Sequence, residues 1–296
     1  MALGDEAAAE AAIGVPLVRR LLRSQFPHLS RLTVRPVGSA GFDNVIYRLG
    51  SDLAVRLPRR RFSADQTEKE HHWLPVLGPQ LPLAVPVPVA EGMPGEGYPW
   101  RWTVCPWLPG EIAALASAAD MRLAAMSLAQ FVRALQAIDP ADGPVSTFRG
   151  GPLADRDRAS RASAAALRDS LEVRAALAIW EAAVAEPAWT RPGVWVHGDL
   201  HPANLLVTNG ELTGVIDFGA LSVGDPACDL MVAWTYLSAD TRQVFRDALA
   251  VDDATWARGR GWALHLGLMA AAVSVGNPVL GSIGRRVIRE VLSDKT

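Results

Sequence analysis

The sequence predicts an α+β fold in two lobes, a small β-rich N-terminal lobe with an antiparallel sheet and a larger, mainly helical C-terminal lobe. Three observations carry this. Short runs rich in β-branched and aromatic residues crowd the region before Gly110. Apolar residues at three- and four-residue spacing dominate after it. Between them lies "LPLAVPVPVAEGMPGEGYPW", whose prolines can neither continue a helix nor donate to a strand ladder. The expected boundaries are 1–105 for the first lobe, 106–110 for a hinge and 111–296 for the second.

Taken in order, "RLTVRPV" from Arg31, "NVIYRLG" from Asn44 and "LAVRLP" from Leu53 read as three strands. The short joints "GSAGFD" and "GSD" make them an antiparallel meander. The segment "TEKEHHWLPVL" opens as a helix that Pro75 is expected to end, and Trp100 to Cys105 gives one more strand. Beyond Gly110, Ser117 and Asp120 have the spacing of a capping box. Leu128, Phe131, Val132, Leu135 and Ile138 then mark a helical stripe that stops at Asp139-Pro140. Val173, Leu177, Trp180 and Val184 repeat the pattern, as do Val279, Ile283, Val287 and Val291.

The chain of 296 residues is half hydrophobic, with 29 basic and 31 acidic side chains and a net charge of -2. That balance argues against a nucleic-acid binder or a polybasic membrane protein. Cys105 and Cys228, the only cysteines, form neither a disulfide framework nor a metal motif and fit a reduced, cytoplasmic setting. The start "MALGDEAAAEAAIGVP" lacks the basic-then-apolar order of a signal peptide. The apolar stretch "WALHLGLMAAAVSV" falls short of the roughly 20 residues a membrane span needs.

Chemistry concentrates in "VHGDLHPANLLVTNGELTGVIDFGA", Val196 to Ala220. Two apolar arms flank Asn209-Gly210, the favoured pair of a type I′ turn, so the segment should close as a hairpin. Closure brings Asp199 and Asn204 at one end toward Asp217 at the other. Their oxygens suit a hard divalent cation, Mg²⁺, and a hydroxyl to be activated. His-x-Asp-x-x-x-x-Asn followed by Asp-Phe-Gly matches in spacing the catalytic-loop and metal-binding signature of kinases.

The first lobe should then hold the nucleotide. Gly38, Ser39, Ala40, Gly41, Phe42 and Asn44 form a loop between two strands, where small residues let backbone N–H groups approach phosphates. Arg56 stands where kinases carry Lys on the third strand, keeping the charge and adding a bidentate fork. Strand alternation puts Ala54 and Arg56 on one face and Val55 on the other. Glu70 is the expected ion-pair partner of Arg56, with Glu68 as its competitor. Arg59, Arg60 and Arg61 read as a solvated edge.

With these residues in view the sequence resembles the aminoglycoside phosphotransferase family, antibiotic kinases with a protein-kinase-like fold. "VHGDLHPANLLV", "GVIDFG" and "GDPACDL" carry the likeness, supported by "GFDNVIYRLGSDLAVRLP" and "PWLPGE". The resemblance implies an O-phosphotransferase that uses ATP, with GTP as an alternative, and Mg²⁺. It makes Asp199 the catalytic base, Asn204 and Asp217 the metal ligands, and Arg56 the phosphate contact. Val104, Cys105 and Trp107 become the hinge beneath the base, with Pro106 lacking a donor. His197 and Asp229 become supports of the catalytic loop, and His201 is given a loop or surface role rather than a proton-shuttle one.

Only Ala220 to Val223 separate "DFG" from "GDPACDL", too little to build a peptide-docking platform. A small hydroxylated acceptor is therefore expected, an aminoglycoside or other antibiotic, and no protein substrate. Trp234, Trp256 and Trp262 read as helix packing, with stacking on an acceptor as the alternative. Two other functions stay open: a metabolite kinase acting on a choline- or homoserine-like alcohol, and a catalytically silent nucleotide-binding protein.

Overall fold

The structure is a computed structural model and describes residues 13–38, 43–145, 148–167, 171–273 and 277–294. The chain divides into two compact units. One runs to Pro79 and takes in Ala84–Pro109; the other holds Gln80–Leu83 and the chain from Gly110 onward.

The first unit opens with α1 (Val15–Gln25), followed by β1 (Val34–Pro36), β2 (Asn44–Leu49), β3 (Leu53–Pro58), α2 (Arg61–Leu77), β4 (Ala90–Gly92) and β5 (Trp102–Pro106). Its five strands lie in the order β1-β2-β3-β5-β4 with every pair antiparallel, and β1 to β3 form the expected meander. The apolar stripe Leu17, Val18, Leu21 and Leu22 of α1 joins Tyr47, Leu49, Val55, Leu57, Trp102 and Val104 in one core. Val55 and Leu57 thus point inward, and Arg56 between them takes the other face.

Pro75 does not end α2; it sits inside the last turn. The missing N–H forfeits a single bond, and Gly78 N–H beyond it still closes on Leu74 O. Of the arginine edge, Arg60 and Arg61 are exposed and pair with Asp43 and Asp65, whereas Arg59 is half-buried.

In the second unit β6 (Glu111–Ile112) precedes α3 (Met121–Ala137), α4 (Asp157–Ala166) and α5 (Leu171–Ala185). Then come β7 (Val194–Val196), β8 (Leu205–Thr208), β9 (Glu211–Val215) and β10 (Ser222–Gly224). Four helices follow: α6 (Val232–Thr235), α7 (Ala239–Leu249), α8 (Asp253–Ala272) and α9 (Pro278–Ser293). The cap of α3 is Asp120 itself, whose carboxylate accepts from Arg122 and Leu123 N–H, so the box expected from Ser117 does not form. Asn209 and Gly210 turn the β8–β9 hairpin with φ of 53° and 82°, as a type I′ turn requires.

Helix α8 is buried along most of its length, with α9, α5 and α4 packed around it. Trp234, Trp256 and Trp262 are buried, and the first two meet with ring centroids 4.6 Å apart; they pack helices together. No helix of the described residues is long and apolar enough to cross a membrane.

Candidate active site

Two short ladders in the second unit place the reactive positions. β7 pairs with β10, Val196 opposite Ser222, so His197 to Asp199 leave one ladder beside the turn that enters it. In the other, Leu205 faces Val215. Just beyond that rung Ile216 N–H donates to Asn204 O at 2.9 Å, and Ile216 O accepts from His197 Nε2 at 3.1 Å. Ile216 therefore ties the catalytic-loop segment to the residue before Asp217. Phe218 fixes the same junction, its ring edge-on to His197 at 4.6 Å.

His197 Nδ1 accepts the Asp199 N–H at 3.2 Å, which leaves the proton on Nε2 for Ile216 O. Burial lowers the imidazole pKa against the pull of the Asp199 and Asp217 charges, so the ring is neutral and serves as a main-chain brace. Asp229 completes the brace. Its Oδ2 accepts His197 N–H at 2.7 Å and its Oδ1 accepts Gly198 N–H at 2.8 Å, and the carboxyl is fully buried. Desolvation pushes its pKa up to about 7, against the opposing pull of the two N–H groups. Gly198 between them has φ 82°, and a Cβ there would lie 2.5 Å from Ala220 O. Only glycine fits both demands.

The Asp199 carboxylate is held at both oxygens. Oδ1 accepts from Arg149 Nη2 at 3.1 Å; Oδ2 lies 3.3 Å from His201 Nε2 and accepts from Asn204 Nδ2 at 3.3 Å. Asn204 Nδ2 also donates to Asp199 O at 2.9 Å. Because His201 Nδ1 accepts Ala203 N–H, the other ring nitrogen carries the proton and donates to Asp199. Burial alone would raise the Asp199 pKa, but His201 and Arg149 together hold it well below the usual carboxylate range. A side chain 26% exposed remains open to a ligand on one side.

Asp217 adopts a left-handed backbone, φ 66° and ψ 70°, an uncommon and strained state for a residue with a Cβ. Its carboxylate makes no capping bond to the turn that follows. Asn204 spends its amide nitrogen on Asp199, which leaves the carbonyl oxygen as a ligand atom. One carboxylate and one amide oxygen fit Mg²⁺, which is held by few protein ligands and completes its shell with phosphate oxygens and water. Among the described residues no group of three His, Cys, Asp or Glu gathers to hold a metal.

In the first unit Arg56 meets Glu70 through two bonds, Nη1 to Oε2 at 2.9 Å and Nη2 to Oε1 at 3.3 Å. The competing carboxylate, Glu68, lies instead 3.4 Å from Arg101. Gly38 is exposed with open space around its Cα, and Asn44 is buried at the start of β2. Ser39, Ala40, Gly41 and Phe42 lie outside the described residues. Val104 and Cys105 are buried within β5. Trp107 follows β5, and its N–H donates to Asp52 O at 2.8 Å.

Two residues against Asp199 differ from the sequence reading. His201 is buried and bonded to the carboxylate, so the surface role is wrong; the three-residue reach from His201 to Asn204 folds the ring inward. Arg149 was not foreseen. Its segment is pinned from outside, Ser222 Oγ donating to Arg149 O and Asp225 N–H to Gly150 O, and no motif marks it beyond the adjacent Gly150-Gly151 pair. Asp225 is itself locked by Arg258, with Nε to Oδ2 at 2.8 Å, which makes the "GDP" of Gly224 to Pro226 a structural element.

The model of the phosphotransferase enzyme family, APH, matches residues 33–262, and the match includes every residue just described around Asp199. The chain belongs to that family. The phosphotransferase is 33% identical over 249 residues to an aminoglycoside 3'-phosphotransferase of Streptomyces fradiae, an alignment that covers 77% of this chain and 88% of the relative. Among solved structures it resembles APH(2")-IIia in complex with GDP and kanamycin, with a TM-score of 0.75 at 21% identity over 94% of this chain and 99% of the other. The macrolide 2'-phosphotransferase MphH of Brachybacterium faecium superposes with a TM-score of 0.63 at 23% identity, covering 94% and 99%. At such identities the likeness is one of fold, the α+β fold of kinase-like phosphotransferases. The chain is an enzyme of the class that phosphorylates an alcohol of a small molecule.

Proposed function

We propose that this phosphotransferase moves the γ-phosphoryl group of ATP, with Mg²⁺, to a hydroxyl of a small antibiotic, the kind of acceptor that the names of its aminoglycoside and macrolide relatives state. The observation that carries the reading is the Asp199 carboxylate, oriented at both oxygens and open on one side. The acceptor O–H donates to Asp199 and loses its proton there as its oxygen forms the new bond to the γ-phosphorus. The bond from that phosphorus to the bridging β–γ oxygen breaks, and ADP leaves with the electron pair. The Asn204 and Asp217 oxygens would hold Mg²⁺, which neutralises charge on the transferring phosphate. Arg56, aligned by Glu70, contacts the nucleotide phosphates, with Gly38 and Asn44 beside them and Val104 and Cys105 under the base. A phosphate added to the antibiotic places charge where its target needs a hydroxyl. The reading sets the reaction in the cytoplasm, where ATP is available, and GTP is an alternative donor.

The test is nucleotide consumption by the intact chain against a panel of hydroxylated antibiotics and, for the competing reading, choline and homoserine. ATP turnover that depends on an antibiotic is expected, abolished by EDTA and restored by Mg²⁺. Arg56→Ala should raise the KM for ATP about tenfold with a smaller change in kcat. Turnover stimulated only by choline or homoserine would replace the antibiotic reading, and an unchanged KM would remove Arg56 from the phosphate site.

A further inference from the structure

The second unit contains a half-open cavity of about 390 Å³ that the transfer chemistry does not use. Pro202 of the catalytic loop forms one wall, directly after His201, which touches Asp199. Ala114 N–H, also on the wall, donates to Pro202 O at 3.0 Å, so the cavity and the catalytic loop share main-chain structure. The lining also includes Thr235 and Tyr236 at the end of α6 and Val279, Ile283 and Arg286 of α9.

The chemistry of the lining is one-sided. Among the described residues the wall carries apolar side chains, hydroxyls and one cation, Arg286, and no carboxylate. Arg286 is fixed, Nη2 donating to Tyr236 O at 3.0 Å and Leu237 O at 3.2 Å, so its charge is set in the wall rather than swinging free. Glu290, one turn along α9, lies 3.9 Å from Arg286 and is claimed by Arg242 at 2.7 Å. The Thr235 hydroxyl is fully buried at the cavity and has no hydrogen-bond partner among the described residues, a group that calls for a ligand acceptor or donor.

Resting on the phosphotransfer reading above, we propose that this cavity seats the body of the acceptor and selects a hydroxylated molecule with an apolar frame and a carbonyl or carboxylate oxygen for Arg286. A polycation is disfavoured there. Clustered ammonium groups entering this wall would shed water beside a fixed guanidinium and find no carboxylate, whereas an apolar frame buries against Ala113, Leu115, Val279 and Ile283. The volume lies in the range of small-molecule sites. Within the antibiotic acceptors proposed, the preference falls on the lactone-like kind and away from aminoglycosides.

Binding is measured by calorimetry on the intact chain, apart from transfer, with kanamycin as the polycation, erythromycin as an apolar hydroxylated lactone, and 3-hydroxyoctanoate as an anionic apolar alcohol. At least one apolar probe should bind tenfold or more tighter than kanamycin. Arg286→Glu should weaken 3-hydroxyoctanoate and strengthen kanamycin, each by about tenfold. Because that change also removes the bonds to Tyr236 and Leu237, Ser282→Asp on the exposed rim supplies the second variant and should likewise favour kanamycin. Kanamycin binding tightest to the unmodified chain would overturn the proposal, as would failure of both apolar probes to bind at about 1 mM. So would kanamycin affinity that neither variant shifts. If the probes bind as expected and no acceptor draws ATP turnover, the transfer chemistry fails while the selectivity of the cavity stands.

Discussion

Replacing Asp199 by Asn lowers kcat for acceptor phosphorylation by about 10²- to 10⁴-fold, the range a positioned proton acceptor supplies. The KM for ATP should move little, whereas the thermal midpoint should fall by a few degrees, since Asn keeps the size but offers one acceptor oxygen where Arg149 and His201 each use their own, and its NH2 faces the donor that is left over. The pH profile separates orientation from simple basicity. His201 and Arg149 hold the Asp199 pKa well below the usual carboxylate range against burial, so the group stays ionised through mildly acid solution. Its acid limb should therefore be flat from pH about 7 to about 5, where an ordinary carboxylate is already beginning to take up protons. Either His201→Ala or Arg149→Met removes one of these donors; the carboxylate pKa should rise and an acid limb should appear inside that window. A transfer rate in Asp199→Asn within threefold of the parent, or a profile in His201→Ala identical to the parent's, would remove this carboxylate from the chemistry.

What the sequence disclosed follows from how local each determinant is. The meander, the Asn209-Gly210 hairpin and the stripes of α3, α5 and α9 depend on neighbouring residues, and pattern reading finds them. Asp199, Asn204 and Asp217 announce themselves because their spacing is fixed by one hairpin. Arg149 contacts Asp199 from 50 positions away and reaches it through side-chain and main-chain bonds from Ser222 and Asp225, which no local pattern encodes. His201 misleads for the opposite reason: a polar ring in a loop reads as exposed unless its inward partner is known. Pro75 shows that a proline can cost a helix one N–H bond without ending it, since Gly78 N–H beyond it still closes on Leu74 O. The helix α1 has no side-chain cap at Gly14, and its marks are Pro16 in the first turn and the apolar spacing that follows.

Asp229 supports the second large effect, on stability. Asp229→Ala leaves the His197 and Gly198 N–H groups buried without their acceptor, at about 1–3 kcal/mol each, so unfolding free energy should fall by roughly 2–6 kcal/mol. Transfer activity should fall with it, because the same two bonds set where Asp199 leaves the chain. The carboxyl also writes its own pH signature. Its pKa rises from the ordinary 3.8 to about 7 in the folded state, with desolvation as the main cause. Below about pH 4 folded and unfolded forms both keep the proton, and the stabilising difference is fully present. From there to about pH 7 the folded form alone keeps it, so stability falls as pH rises, by on the order of 4 kcal/mol in all. Above that the contribution is gone. Asp229→Asn has no proton to lose, so the stability of the parent relative to this variant should decline from pH 4 to pH 8 when urea midpoints are compared. A difference that stays constant over that interval would show that Asp229 is ionised throughout, held by its two N–H donors against the burial that opposes them.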